Sequence, residues 1–217
     1  MKIDVKICGV TQPDHIEACV AAGVDYIGFM LVERSKRYVS IDQAARLAGP
    51  ARGLTSIVAV TVNADDAFLQ QIMDQIHPDY IQCHGEESVD RVAQIARKFK
   101  VKIIKAVPVS TDDDIIKAET YSGVADIILY DAKPPKGSDI RGGHGLRFDW
   151  KLLTRAPLPK YWALAGGLNF DTVGDALALT QAPLLDVSSG VESVPGVKST
   201  EKIKAFMKAV KGTSCNG

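Results

Sequence analysis

A single (β/α)8 barrel is the fold this sequence predicts, and three observations predict it. Short apolar runs alternate along the chain with segments whose apolar residues recur every three to four positions. That alternation suits a parallel sheet, because each parallel strand needs a crossover, usually helical, to return the chain to the same end. Eight such runs fit into 217 residues at about 25 residues per unit, the low end of the range for such barrels. The first strand is followed by "CGVTQPD", with one glycine. An open dinucleotide-binding sheet, the competing α/β architecture, places G-x-G-x-x-G there.

The eight expected strands are "IDVKI" (3–7), "DYIGFM" (25–30), "SIVAVTV" (56–62), "DYIQC" (79–83), "KIIKAV" (102–107), "DIILY" (126–130), "YWALA" (161–165) and "LLDVS" (184–188). The first helix is expected to start at a capping box of Thr11 with Asp14 and to exit at Gly23. Asp65 or Asn63 opens the third helix, whose buried face is Phe68, Leu69, Ile72 and Ile76. Val89, Val92, Ala96 and Phe99 mark another helix, and Ile203, Phe206, Met207 and Val210 the last. The barrel is expected to occupy residues 1–211 as one domain, with "GTSCNG" (212–217) as a frayed tail. Residues 131–148, rich in Gly, Lys and Pro, form a long loop of the kind that closes over a ligand.

Composition excludes some functions. Lys plus Arg and Asp plus Glu number 26 each, so no net charge favours nucleic acid or an anionic membrane as the main partner. No apolar run is long enough to span a bilayer, and the first residues, "MKIDVKICGV", carry no export signal. The four cysteines (8, 19, 83 and 215) show no metal-ligand spacing and read as reduced thiols in a cytoplasm. The histidines at 15, 77, 84 and 144 form no H-x-H pattern, so no metal site is expected.

Active sites of such barrels lie at the C-terminal strand ends. Cys8 ends the first strand. Its neighbours Ile3, Val5 and Ile7 alternate with it and suit the outer, helix-packed face, which turns Lys6 and Cys8 inward. A buried cysteine is ordinarily a small hydrophobe, but an inward one at a strand end is also a candidate reactive thiol. After the second strand, Arg34, Lys36 and Arg37 form either a solvated basic loop or an anion clamp. His84 follows the fourth strand and is a candidate substrate contact, although a lone histidine is ordinarily structural. Asp131 ends the sixth strand as a helix cap, loop anchor or general acid. Gly166, Gly167, Ser189 and Gly190 lie in small-residue turns after the seventh and eighth strands, where barrels commonly bind phosphate.

Taken in order, "KICG" (6–9), "SKRYVS" (35–40), "IQCHG" (81–85), "LYDAK" (129–133), "GGHGLRFDW" (142–150), "LAGGLN" (164–169), "DVSSGVE" (186–192) and "PGVKS" (195–199) resemble the phosphoribosylanthranilate isomerases of tryptophan biosynthesis. The resemblance spans nearly the whole chain. It implies a (β/α)8 barrel that converts N-(5-phosphoribosyl)anthranilate to the 1-deoxyribulose isomer by an Amadori rearrangement, without metal or organic cofactor. It implies Cys8 as general base, Asp131 as general acid and Arg37 as the anthranilate-binding residue. It also implies phosphate contacts at Gly166, Gly167, Ser188, Ser189 and Gly190, and in the loop from Gly142 to Gly145, including Gly143 and Gly145. Cys83 and His144 depart from the family's usual residues. A monomer or homodimer in the cytoplasm, acting on a small phosphorylated sugar–anthranilate, is the expected setting. Lys6 is expected to lower the Cys8 pKa. Alternatives are the histidine-pathway isomerase, which places an aspartate where Cys8 stands, and a barrel that binds a phosphometabolite without turning it over.

Overall fold

Residues 2–133 and 148–214 are described by a computed structural model. Eight parallel strands close into a barrel in chain order: β1 (Asp4–Cys8), β2 (Tyr26–Met30), β3 (Ser56–Thr61), β4 (Tyr80–Cys83), β5 (Lys102–Val109), β6 (Ile127–Ala132), β7 (Trp162–Leu164) and β8 (Leu184–Val187). Closure is made by β1 against β8, with Lys6 opposite Asp186. The helices are α1 (Pro13–Ala22), α2 (Ile41–Ala48), α3 (Asp66–Ile76), α4 (Val89–Phe99), α5 (Asp112–Glu119), α6 (Val173–Thr180) and α7 (Thr200–Ser214). A short hairpin, β9 (Glu192–Val194) with β10 (Val197–Lys198), is inserted between β8 and α7.

Strand alternation sorts the core into two shells. Val5, Ile7, Ile27, Phe29 and Ile81 face outward and pack under the helices. Cys8, Tyr26, Met30, Val58, Val60, Ile104, Leu129 and Ala163 fill the barrel interior. The expected orientation of the first strand is therefore found, with Val5 and Ile7 outward and Lys6 fully buried inside.

Three aspartates stand immediately before or at the start of even-numbered strands and grip the strand before. Asp25 accepts the Val5 N–H at 2.9 Å, Asp79 the Ile57 N–H at 2.7 Å and Asp126 the Ile103 N–H at 2.7 Å. Each returns its own N–H to the carbonyl of the same residue, at 3.0, 2.9 and 2.9 Å. Val5, Ile57 and Ile103 are the second residues of β1, β3 and β5, so these bonds satisfy backbone N–H groups at the barrel's lower rim.

Three expectations are corrected. Thr11 does not cap α1: the N-cap is Gln12, and Pro13 opens the helix, its fixed φ and missing N–H suiting that place. The Thr11 hydroxyl instead donates to the Gly196 carbonyl at 3.5 Å. Gly23 does exit the helix, at φ 76°, and Asp65 rather than Asn63 caps α3, accepting the Phe68 N–H at 2.8 Å. Between β6 and β7 the described residues hold one 3-10 segment, Trp150–Thr154, in place of a sixth α-helix. Pro157 and Pro159 follow it and cannot continue a helix. Finally, α7 runs to Ser214, into the stretch expected to fray; residues 215–217, with Cys215, lie outside the described residues. Among the described residues no helix is long and apolar enough to cross a membrane.

Candidate active site at the C-terminal barrel mouth

Cys8 ends β1 inside the barrel and is 6% exposed. Directly beneath it, the Lys6 ammonium donates to Asp186 Oδ1 at 2.9 Å, with both side chains buried. Gly28, opposite Cys8 on β2, makes room for both groups: a Cβ there would stand 3.1 Å from Cys8 Sγ and 3.3 Å from Lys6 Nζ. Burial pushes the Cys8 thiol up, Lys6 and Lys198 pull it down, and Asp186 adds to the rise. The lysine acts in the expected downward direction, but dehydration is larger, so the net shift is upward. Burial likewise opposes the Lys6 charge, yet Asp186 and Cys8 outweigh it and hold that pKa above the usual lysine value.

The other described cysteines differ. Cys19 and Cys83 are free and buried in the outer shell, and burial pushes both thiols up to about 12. They behave as core hydrophobes. Cys8 alone among the described cysteines faces the interior and shares it with an ammonium.

The Lys6–Asp186 pair predicts a stability effect. Asp186→Leu leaves a buried ammonium without its counterion and should lower the unfolding free energy by about 3–5 kcal/mol, read from urea denaturation. Lys6→Met with Asp186→Leu removes both charges and should recover most of that loss. A single variant as stable as wild type would show that the pair is not a closed, dry one.

Asp131 ends β6. Its Oδ1 accepts the Ala132 N–H at 2.8 Å, and its Oδ2 lies 3.5 Å from His84 Nε2. His84 follows β4, held by its N–H to the Thr61 carbonyl at 2.8 Å. Its Nδ1 meets Gln82 Nε2 at 2.8 Å, so with this amide orientation the ring proton sits on Nε2, facing Asp131. The loop carrying His84 is anchored from below: Lys105 donates to the Cys83 and Gly85 carbonyls at 3.3 and 2.8 Å and to Glu87 at 2.7 Å.

Arg37 follows β2. Its stem crosses Gly9, where a Cβ would stand 2.5 Å from Arg37 Cδ, and Gly9 has φ +75°. Only glycine meets both demands, so the second half of "Cys-Gly" exists for the arginine. The guanidinium is gripped by Glu192, Nε to Oε1 at 2.7 Å and Nη2 to Oε2 at 2.9 Å. Lys198 Nζ joins the same carboxylate at 2.8 Å and reaches the Ser188 carbonyl at 3.0 Å and hydroxyl at 3.1 Å. The Ser188 hydroxyl donates to the Cys8 carbonyl at 2.9 Å.

The two small-residue turns meet. Gly166 and Gly167 have φ +83° and +71°, and their N–H groups find no acceptor among the described residues. Gly190 presses on the Leu168 carbonyl so closely that any Cβ would collide with it. Thr172 holds the first turn, donating to the Gly167 carbonyl at 2.9 Å. Backbone N–H groups beside a mouth that also holds cations can bind a phosphate dianion.

Comparison with known proteins decides the family. The family description "N-(5'phosphoribosyl)anthranilate (PRA) isomerase" matches residues 5–209. The chain belongs to the phosphoribosylanthranilate isomerase family. It is 46% identical over 213 residues to the N-(5'-phosphoribosyl)anthranilate isomerase of Rhodopseudomonas palustris, covering 98% of each chain. A crystal structure of the Thermotoga maritima phosphoribosyl anthranilate isomerase superposes with a TM-score of 0.84 at 34% identity, over 97% of this chain and 99% of that one. A second phosphoribosyl anthranilate isomerase structure, with a TM-score of 0.82 and 33% identity over the same shares, holds reduced 1-(o-carboxyphenylamino)-1-deoxyribulose 5-phosphate. A third, with the same score and identity, is of monomers made from the dimeric enzyme.

The expected site residues Cys8, Arg37, His84, Asp131, Gly166, Gly167, Ser188, Ser189 and Gly190 all stand at the C-terminal end of the barrel or in the turns beyond it. Direct contact is made by His84 with Asp131 and by Ser188 with Cys8. The Ser188 hydroxyl thus ties β8 to β1. Gly143 and Gly145, with Gly142 and His144, lie outside the described residues. Sequence reasoning gave no role to Glu192, Lys198, Asp186 or Gln82. Glu192 and Lys198 lay within matched motifs; the available signal was a pair of charged residues in an otherwise apolar and small segment, "GVESVPGVKS".

Proposed function

We propose that the chain isomerises N-(5'-phosphoribosyl)anthranilate to 1-(2-carboxyphenylamino)-1-deoxyribulose 5-phosphate, with Cys8 as base and Asp131 as acid. The observation that supports this most is the pairing of chemistries at one barrel mouth: a thiol above a buried ammonium at the end of β1, and a carboxyl beside His84 at the end of β6.

Asp131, protonated, donates to the ring oxygen; the C1′–O4′ bond breaks as the anilino nitrogen's lone pair forms an iminium at C1′. The iminium acidifies the C2′ proton, which the Cys8 thiolate removes to give an enolamine. The thiol then returns a proton to C1′ while the Asp131 carboxylate takes the 2′-hydroxyl proton, leaving the ketone and restoring both groups. Electrons only shift within the substrate, so the sequence of steps needs no external oxidant or reductant. The acid and base must hold opposite protonation states at one pH. In this reading Arg37 holds the anthranilate carboxylate and His84 contacts substrate beside Asp131. Gly166, Gly167, Ser188, Ser189 and Gly190 bind the phosphate, joined by Gly143 and Gly145. A cytoplasmic location and a monomeric or homodimeric state complete the proposal.

The test is turnover. Anthranilate and phosphoribosyl pyrophosphate with a coupling transferase generate the labile substrate in place, and its fluorescence falls as the ketose forms. A fall that depends on this protein supports the reading; binding without turnover would make the chain a phosphometabolite-binding barrel.

A further inference from the structure

We infer that Glu192 is a positioning residue that orients the Arg37 fork and thereby makes the site selective for substrates bearing a carboxylate on the aromatic ring. The inference rests on the proposed role of Arg37 and goes beyond it.

Arg37 and Glu192 are 7% and 6% exposed, and their two parallel hydrogen bonds fix the guanidinium plane, not merely its charge. Glu192 is itself fixed. Lys198 grips Oε1 at 2.8 Å and the Gly196 N–H reaches Oε2 at 3.2 Å. The Lys202 ammonium donates to the Glu192 backbone carbonyl at 2.6 Å. Gly196 must be glycine, with φ +93° and a Cβ that would stand 2.5 Å from the Lys36 carbonyl, next to Arg37 in the chain. The β9–β10 hairpin is therefore folded against the loop that carries the arginine. Its two charged members also connect, through Ser188, to the carbonyl of Cys8. One buried network thus joins the residue that would hold the substrate's ring to the residue that would remove its proton, and correct placement of one relative to the other is where an isomerase gains rate.

Charge alone is a competing account, because Glu192 also neutralises one of two neighbouring cations. At their formal charges Arg37, Lys198 and Glu192 together carry one net positive charge, while burial pushes the Lys198 pKa below its ordinary value. Replacing Glu192 by Gln and Lys198 by Met together leaves Arg37 with the same net charge but without its fixed carboxylate. That double variant separates orientation from electrostatics, and it also avoids a buried ammonium lacking its partner.

The experiment compares two stable ligands: the reduced carboxyphenylamino deoxyribulose phosphate, and its counterpart made from aniline, which lacks the carboxylate. Affinities are measured by titration for wild type, Glu192→Gln, Glu192→Asp and the double variant, with thermal unfolding recorded for each. Glu192→Gln and the double variant should lose about 10- to 100-fold in affinity for the carboxylate ligand and change little for the other. Glu192→Asp, which keeps a carboxylate one methylene further back, should recover part of the loss. Equal losses for both ligands would reduce Glu192 to a structural residue. Wild-type affinity in the double variant would make neutralisation the cause. Either result overturns the inference. Should Glu192→Gln fail to fold, the double variant carries the test. A wild type that does not discriminate between the ligands would instead overturn the role of Arg37.

Discussion

Cys8→Ala should reduce kcat/KM by about a thousandfold or more, roughly 4 kcal/mol of transition-state stabilisation, while the barrel stays folded. The sulfur is the only atom removed, and no described backbone contact depends on it; the Ser188 bond goes to the Cys8 carbonyl. The proton at C2′ would then have no base in place. A second signature follows from the direction of the thiol's shift. Burial raises its pKa, so in the free enzyme near neutrality the thiol form prevails and the thiolate fraction grows with pH. Wild-type kcat/KM should therefore climb from neutral into alkaline solution, and the residual rate of Cys8→Ala should lack that limb. A Cys8→Ala enzyme within tenfold of wild type would remove the thiol from the mechanism and leave the reaction assignment standing.

Asp131→Asn should cost about 10²- to 10⁴-fold in kcat, with KM changed far less. Asparagine keeps the shape and retains an oxygen able to accept the Ala132 N–H, a bond of 2.8 Å in the native protein. What it loses is the dissociable proton for the ring oxygen. The loss should also be non-additive with Cys8→Ala, because ring opening and proton removal act in series on one substrate. Near-normal kcat in Asp131→Asn would transfer the acid's role elsewhere, and His84, whose Nε2 lies 3.5 Å from the same carboxyl, would be the first group to examine.

The barrel was legible because period-two alternation and helical spacing are local properties, and eight strands recur with them. The candidate site was legible where it coincides with strand ends: Cys8, His84 and Asp131 each follow an apolar run directly. Pairing across the barrel left no such mark. Lys6 could be turned inward by alternation, but its partner Asp186 is 180 residues away. Glu192 lies 155 residues from Arg37 in a hairpin that reads as turn sequence. The direction of the thiol's net shift left no mark for a related reason. A lysine two residues away suggests a lowered pKa, whereas the dehydration that outweighs it exists only once the barrel is closed. Among the described residues, the 3-10 segment that stands in place of a helix between β6 and β7 had a signal in Pro157 and Pro159, which the regular strand spacing obscured.

The paired aspartate bonds divide the ring unequally. They join β1 to β2, β3 to β4 and β5 to β6, each between residues only 20, 22 or 23 positions apart. At the matching place before β8 stands Pro183, which has no N–H to return and no side chain to offer. Three of the eight strand-to-strand joints thus carry latches that close over short loops, while the β8–β1 seam alone depends on segments brought together from opposite ends of the chain. Closing a loop of 180 residues rather than about 20 adds three doublings, about 2 kcal/mol of chain entropy. Besides the β1–β8 backbone ladder, the side chains that bridge this seam are those of Lys6, bonded to Asp186, and Ser188, bonded to the Cys8 carbonyl. The joint with the largest chain-entropy cost and the proposed base Cys8 are therefore the same place, so closing the barrel also brings together the β1 and β8 residues of the candidate site.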